Sequence, residues 1–243
     1  AVVAYREAVR VAPRNAAACT NLGNALCELG DLHYADEALQ YLRLAIEIAP
    51  GIAAGHYNLG VLLLDRADSV EAEACFRRAL ELEPQFPAAC TGLSMALRQQ
   101  GRKRDAEAAC RRSLQLEPAN AAALTLLAEI IANRGEHAEA ERLLRRALES
   151  DPELPEALAS MVRFRRMGAA DEPWLAAAQR LLEPGLVPRQ ELALRFAIGK
   201  FLDDRNEPDV AFENFRRANE LRRRASRPFD PVRCRALTDR RLA

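Results

Sequence analysis

Gly60-Val-Leu-Leu-Leu-Asp-Arg-Ala-Asp-Ser-Val-Glu-Ala-Glu-Ala-Cys-Phe-Arg-Arg-Ala-Leu-Glu-Leu-Glu-Pro84 is the stretch on which most of the chain is patterned, and its proline sets the period. Pro50, Pro84, Pro118 and Pro152 stand 34 residues apart. Five residues before each, and before Pro13, comes a small residue: Ala8, Ala45, Ala79, Ser113 and Ala147. Twelve before come Ala38, Ala72, Ala106 and Ala140, with Leu42, Phe76, Cys110 and Leu144 between the two small slots. The preceding half of each unit carries a Leu-small pair at Leu22-Gly23, Leu59-Gly60, Leu93-Ser94 and Leu127-Ala128, and less well at Met161-Val162. A fixed period of this length marks a helical repeat array. These spacings predict two amphipathic helices per unit, the first ending before Gly30, Gly101 or Gly135 and the second ending at the proline. Small residues allow the two helices to approach closely, and bulky ones fill the space beside them.

The pattern resembles the tetratricopeptide repeat, whose usual form is Trp-x2-Leu-Gly-x2-Tyr, then Ala-x3-Phe, then Pro. The Trp slot here holds Cys19, His56, Cys90, Leu124 and Leu158, and the Tyr slot Leu26, Leu63, Leu97 and Ile131. The resemblance implies an all-α solenoid, a right-handed superhelix of antiparallel helix pairs whose first helices line the concave surface.

Residues 1–152 read as the regular array. It opens on a truncated unit at 1–13, followed by a unit at 14–50 that carries three extra residues around Leu32-His33-Tyr34. Asn15 and Asn120 are expected N-caps, and Pro87 and Pro155 first-turn residues. Residues 153–189 lose the small anchors and read as a degenerate repeat, with Trp174 as packing. The slots return over 190–224 at Gly199, Ala211, Phe215 and Ala218, and 225–243 reads as the start of a capping or linker helix. Because the chain opens at Ala1 inside a second-type helix, the true N-terminus is expected upstream.

The wording over about 190–240 is more specific. Leu194 to Asn206, Ala211 to Arg223 and the later Phe229-Asp230-Pro231 resemble the last repeat of bacterial proteins in which such an array precedes a sulfotransferase domain. That resemblance implies a downstream catalytic domain that uses phosphoadenosine phosphosulfate through a Pro-Arg-Ser-Gly-Thr type loop. No such loop occurs in this sequence, so no cofactor is expected in the chain itself. Two other readings stand beside it: a stand-alone adaptor, and the arm of an O-linked N-acetylglucosamine transferase-like enzyme. The last rests on Asn21-Leu22-Gly23 and Asn58-Leu59-Gly60, where the family's inner surface carries an asparagine ladder; the equivalent later positions hold Gly92 and Leu126. A chaperone-tail clamp is disfavoured because the only lysines are Lys103 and Lys200.

Chemistry-bearing motifs are missing from the sequence. There is no Gly-rich phosphate loop, no Gly-x-Ser-x-Gly elbow and no His-Glu-x-x-His helix, so catalysis by this chain is not expected. Cys19, Cys27, Cys75, Cys90, Cys110 and Cys234 form no Cys-x-x-Cys pair and read as buried apolar residues of a reducing, cytoplasmic setting. His33, His56 and His137 fall in different units, which argues against a metal site. The balance of 35 basic against 35 acidic residues gives no net field for nucleic acid or anionic lipid, and the longest apolar run, near Val61 to Leu64, is too short to span a bilayer. Glu73-Arg77, Glu107-Arg111 and Glu141-Arg145, each with acid four residues before base, read as pairs on a solvated outer face, and Asp203-Asp204 as solvent-facing helix-end residues. The Arg-rich tail from Arg222 to Arg241 reads either as an anion site or as a helix surface that docks on a following domain.

The resemblance implies binding of a peptide or protein as the function, with oligomeric state left open. Stepping the family's inward offsets along the chain gives Thr20, Tyr57, Thr91 and Thr125 on one line. Asn24, Val61, Met95 and Glu129 lie beside it, with Asn21 and Asn58 adjacent. Short polar groups among apolar ones suit an extended peptide, whose backbone needs hydrogen bonds and whose side chains need shallow pockets.

Overall fold

The proline that closes each unit acts through the residue before it. Glu83, Glu117 and Asp151 adopt φ of −134°, −139° and −139°, the extended backbone that a following proline enforces, and the second helices end there. The first helices end differently. Gly101 and Gly135 take φ of +79° and +88°, and the chain turns through the left-handed region that glycine enters without strain. Ala67 occupies the same place at φ +62°, closed by Asp68 N–H donating to the Leu63 carbonyl at 2.9 Å.

These signals punctuate an all-helical chain. The computed structural model describes residues 1–29, 32–182 and 186–225, and no strand occurs among them. The chain forms two compact units, Ala1–Arg165 and Arg166 onward. The first holds α1 (Val2–Val11), α2 (Ala16–Glu28), α3 (Leu32–Ile48), α4 (Ala53–Asp65), α5 (Ser69–Leu82), α6 (Pro87–Gln99), α7 (Lys103–Leu116), α8 (Ala121–Ala132), α9 (His137–Ser150) and the short α10 (Pro155–Met161). The second holds α11 (Glu172–Leu181), α12 (Pro188–Asp204) and α13 (Pro208–Ala225). Helices pack in consecutive pairs, α2 with α3, α4 with α5, α6 with α7, α8 with α9 and α12 with α13, and each regular pair packs on the next.

Asn15 and Asn120 cap α2 and α8, accepting from Ala18 N–H at 3.1 Å and Ala123 N–H at 2.9 Å, while Pro87 and Pro155 stand in the first turns of α6 and α10. Asp68 adds a cap on α5 by accepting from Glu71 N–H at 3.2 Å. The extra residues near Tyr34 are helical: α3 has 17 residues where α5, α7 and α9 each have 14. This longer helix brings the Tyr34 ring beneath the Arg6 guanidinium of α1, 5.9 Å from the ring centre.

The small slots are where helices touch. Ala38, Ala72, Ala106 and Ala140 have no exposed surface. A methyl on Gly60 would stand 2.9 Å from the Phe76 ring, and one on Gly92, from the next unit's first helix, 2.4 Å from the same ring. Phe76 is thus held by glycines of two successive first helices. Where the large slot shrinks, the small slot grows: Ser94 faces Cys110 at 3.0 Å and donates to the Ala106 carbonyl at 2.7 Å, and Ala128 accompanies Leu144. The second unit repeats the device, since a methyl on Gly199 would meet Phe215 at 2.6 Å. Trp174 stacks on Phe201 there at 5.3 Å and is buried, as its packing role required.

Asp204 corrects one expectation. It is largely covered, paired with Lys200 at 2.7 Å and accepting from Met167 N–H at 3.4 Å. Burial works to raise its pKa, but the Lys200 contact and the Met167 N–H outweigh that and hold it below the usual carboxylate range.

Gly92→Ala should destabilise the array by about 1–3 kcal/mol through overpacking, and adding Phe76→Leu should return part of that stability. Equal urea midpoints for wild type and Gly92→Ala would refute the double-glycine contact. Ala67→Gly, by contrast, should stabilise by about 1 kcal/mol, because the left-handed backbone strains a residue with a Cβ. A lowered melting temperature for that variant would contradict the strain.

Candidate functional site

The first helices of the regular units present one residue each at the position just after the Leu-small pair. Asn24 is half-buried, Val61 exposed, Met95 half-buried and Glu129 half-buried. At Glu129 this row is tied to the neighbouring first helices by bonds. Glu129 on α8 pairs with Arg98 on α6 and accepts from Ser160 Oγ on α10 at 2.8 Å, with Arg163 at 3.6 Å. Three consecutive first helices are joined through one carboxylate. Arginine therefore does lie along this face: Arg163 falls one period beyond Glu129, where the line traced from the regular units stops, and Arg98 lies off that line, one turn after Met95.

The parallel line of Thr20, Tyr57, Thr91 and Thr125 is placed otherwise than expected. Thr91 and Thr125 are only 7% and 4% exposed. Each threonine hydroxyl turns back on its own helix, Thr20 Oγ1 to the Ala16 carbonyl at 2.9 Å, Thr91 to Pro87 at 3.2 Å and Thr125 to Ala121 at 2.8 Å. Thr91 also meets Ser113 Oγ at 2.9 Å inside the stack. Ser113 belongs to α7, so the cover over Thr91 comes from the second helix of its own pair. Tyr57 is half-buried, its ring 5.9 Å from Phe76 and 5.0 Å from Phe86, and burial raises its phenol pKa. It serves the core and offers only part of its ring to the face. Asn21 is exposed and Asn58 half-buried, whereas Gly92 and Leu126 at the equivalent places are buried, so asparagines do not continue along the array.

The opposite side, made by the second helices, carries the acid-base pairs, and they do more than was expected of a solvated face. Glu73 binds Arg77 at 2.8 Å, but also Arg102 at 2.9 Å and Gln100 Nε2 at 2.9 Å from the following unit. Glu107 likewise binds Arg111 at 2.9 Å and Arg134 at 2.8 Å, and Glu141 binds Arg145 at 2.5 Å and Arg165 at 3.0 Å. Their side chains retain only 13%, 15% and 19% exposure. Each acid is a joint between successive units. Burial alone would raise the Glu73 pKa, yet the bonds from Gln100, Arg77 and Arg102 lower it. Arg112 and Arg146, each next in sequence to the arginine of such a pair, reach back as well, Arg112 to the Pro84 carbonyl at 2.9 Å and Arg146 to that of Pro118 at 3.2 Å.

Nothing among the described residues gathers three metal-ligating side chains. His56 lies 3.0 Å from the Pro50 carbonyl, and His137 stacks beside Phe164. Cys19, Cys75, Cys90 and Cys110 are buried, Cys27 is half-buried, and all five are free thiols. Burial pushes the thiols of Cys27, Cys75 and Cys110 up to about 11. No described helix is long and apolar enough to cross a membrane. Cys234, Phe229-Asp230-Pro231, the expected capping helix and the arginines from Arg227 onward lie outside the described residues, as does the side chain of His33.

The fold and the paired-helix geometry define a helical-repeat solenoid. Residues 57–116 and 91–155 match the tetratricopeptide repeat family model. Solved structures agree. A tetratricopeptide repeat protein from Parabacteroides merdae ATCC 43184 is 18% identical, with a TM-score of 0.65 over 90% of this chain and 85% of its own. A thermophilic TPR protein from Thermus thermophilus is 20% identical, with a TM-score of 0.60 over 82% and 100%. YrrB, described as a TPR protein with an unusual peptide-binding site, is 19% identical, with a TM-score of 0.54 over 88% and 98%. No curated protein sequence matches the chain.

The raised thiol pKa values fix a sign for pH dependence. In the unfolded chain these thiols ionise near the ordinary value of 9.0, whereas in the fold they stay protonated to about 11. Their contribution to stability is complete below about pH 9 and is lost as pH rises toward 11. The urea midpoint should therefore fall across that interval, and less steeply in Cys75→Ala/Cys110→Ala. A midpoint that is level across the interval in wild type would contradict the burial.

Proposed function

We propose that the array binds a polypeptide along the first-helix face of the Ala1–Arg165 unit. The observation that carries this reading is the row Asn24, Val61, Met95 and Glu129, one side chain from each successive first helix and none of them fully buried. Val61 and Met95 offer shallow apolar contacts. Asn24 can hydrogen-bond a backbone in either direction, and the Arg98-Glu129-Arg163 cluster supplies charge at the far end. Among structural neighbours, YrrB is described with a peptide-binding site, which supports the same class of partner here. Thr91 and Thr125 drop out of this surface, and Thr20, Asn21, Tyr57 and Asn58 stay at its edge.

In the finer reading the chain is the recognition arm of a sulfotransferase, and the bound polypeptide is the enzyme's substrate or its carrier. That reading is supported by the wording of residues 190–224, whose Gly199, Ala211, Phe215 and Ala218 pack as a repeat on α12 and α13. A Pro-Arg-Ser-Gly-Thr-like loop encoded beyond residue 243, with binding of phosphoadenosine phosphosulfate by the longer protein, is its test. A nucleotide-sugar fold there would favour the glycosyltransferase arm, and a stop codon the adaptor.

For the binding surface itself, a displayed peptide library should yield ligands for the wild-type chain. Val61→Glu together with Asn24→Ala should raise the Kd of the best of them about tenfold, or about 1.4 kcal/mol in binding free energy, with an unchanged melting temperature. Equal affinity in the double variant would remove this face from the function.

A further inference from the structure

An open trough of about 360 Å³ lies on the second-helix side, between α5 and α7 and over α6. Its floor is apolar: Cys90, Leu93 and Leu97 of α6, at 1%, 9% and 2% exposure. The cause is visible in the sequence. Cys90 stands in the slot where the repeat pattern carries tryptophan and where the next unit carries Leu124, so a small side chain sits where a bulky one would occupy the space between two second helices.

The rim is cationic. Arg77, Arg102 and Arg112 surround the opening, with Asp105 as the acid among the lining residues. Arg77 and Arg102 share Glu73, and Arg102 also takes Asp105 at 2.6 Å. Arg112 bonds a neutral acceptor, the Pro84 carbonyl. Three guanidinium groups thus face two carboxylates, leaving one positive charge at the mouth of an apolar trough. Its field reaches the floor: burial raises the Cys90 pKa, and Arg112 acts against that rise.

We propose that this trough is a second polypeptide site, which takes a bulky apolar side chain flanked by a carboxylate. The apolar side chain fills the space left at Cys90, and the acid meets Arg112. A volume of about 360 Å³ is at the lower end of that for small-ligand sites and ample for one aromatic side chain. The trough has its rim on α5 and α7 and its floor on the side of α6 away from Met95, so an array with both sites can hold two segments of one partner, or two partners, at once. It rests on the polypeptide-binding reading only for the kind of partner.

The test uses the whole chain with labelled leucine and alanine methyl groups, titrated by NMR with acetyl-Gly-Trp-Glu-Gly-amide and with its Lys analogue. Saturable shifts at Leu80, Leu93 and Leu97 are expected for the Glu peptide, with about tenfold weaker binding of the Lys peptide. Cys90→Leu should abolish the shifts by filling the trough. Arg112→Gln, which leaves it open, should bring the two peptides to equal affinity. Persistent binding in Cys90→Leu, or equal affinities in wild type, overturns the proposal. Shifts with free indole-3-propionate but with neither peptide assign the trough to a small carboxylic acid and overturn the polypeptide occupant. Because Asn24 and Val61 are untouched, these outcomes leave the first-helix face to be judged on its own experiment.

Discussion

The Phe76 ring is pinned between Gly60 of its own unit and Gly92 of the next, and the regular part of the array depends on contacts of this kind. One side chain does two jobs. Within a unit it fixes how closely the first and second helices approach, and between units it fixes where the following first helix settles. A side chain with no exposed surface, packed on two backbones that lack Cβ atoms, has nowhere to relax, so size errors on either side are felt directly. Ser94 with Cys110 and Ala128 with Leu144 solve the same problem with other pairs of sizes.

That complementarity explains why the fold was legible in the sequence. Alanines and prolines at a constant period encode helix contacts and helix ends by sterics that do not depend on what surrounds them. Pro84 and Pro118 force extended backbone at Glu83 and Glu117 whatever follows. The caps at Asn15 and Asn120 are equally local. Periodicity alone allows the extra residues near Tyr34 to lengthen either a turn or a helix; in the fold they are helical, and Tyr34 meets Arg6 of α1.

The candidate site was less legible because offsets place a residue on a helix but not under its neighbour. Thr91 has a hydroxyl suited to a ligand, yet α7, the second helix of its own pair, lies over it and Ser113 takes the bond. Glu73 reads as half of an i,i+4 surface pair, and only the stacked geometry brings Arg102 and Gln100 to it. Conversely, Arg98 lies off the traced line and Arg163 one period beyond its end, and only the bonds to Glu129 bring them together. Side chains long enough to cross between units are the ones whose surroundings a one-dimensional reading cannot assign.

The bonds that tie one unit to the next have a consequence for how the chain is made. Arg112 to Pro84, Arg102 to Glu73, Arg134 to Glu107 and Ser160 to Glu129 join residues 27 to 31 positions apart. Each such contact becomes available as soon as one further unit has been synthesised, and none of them waits for a distant part of the chain. Structure can therefore accumulate on the ribosome in the order of translation, each new pair of helices docking on a surface already formed, with little loop-closure entropy to overcome.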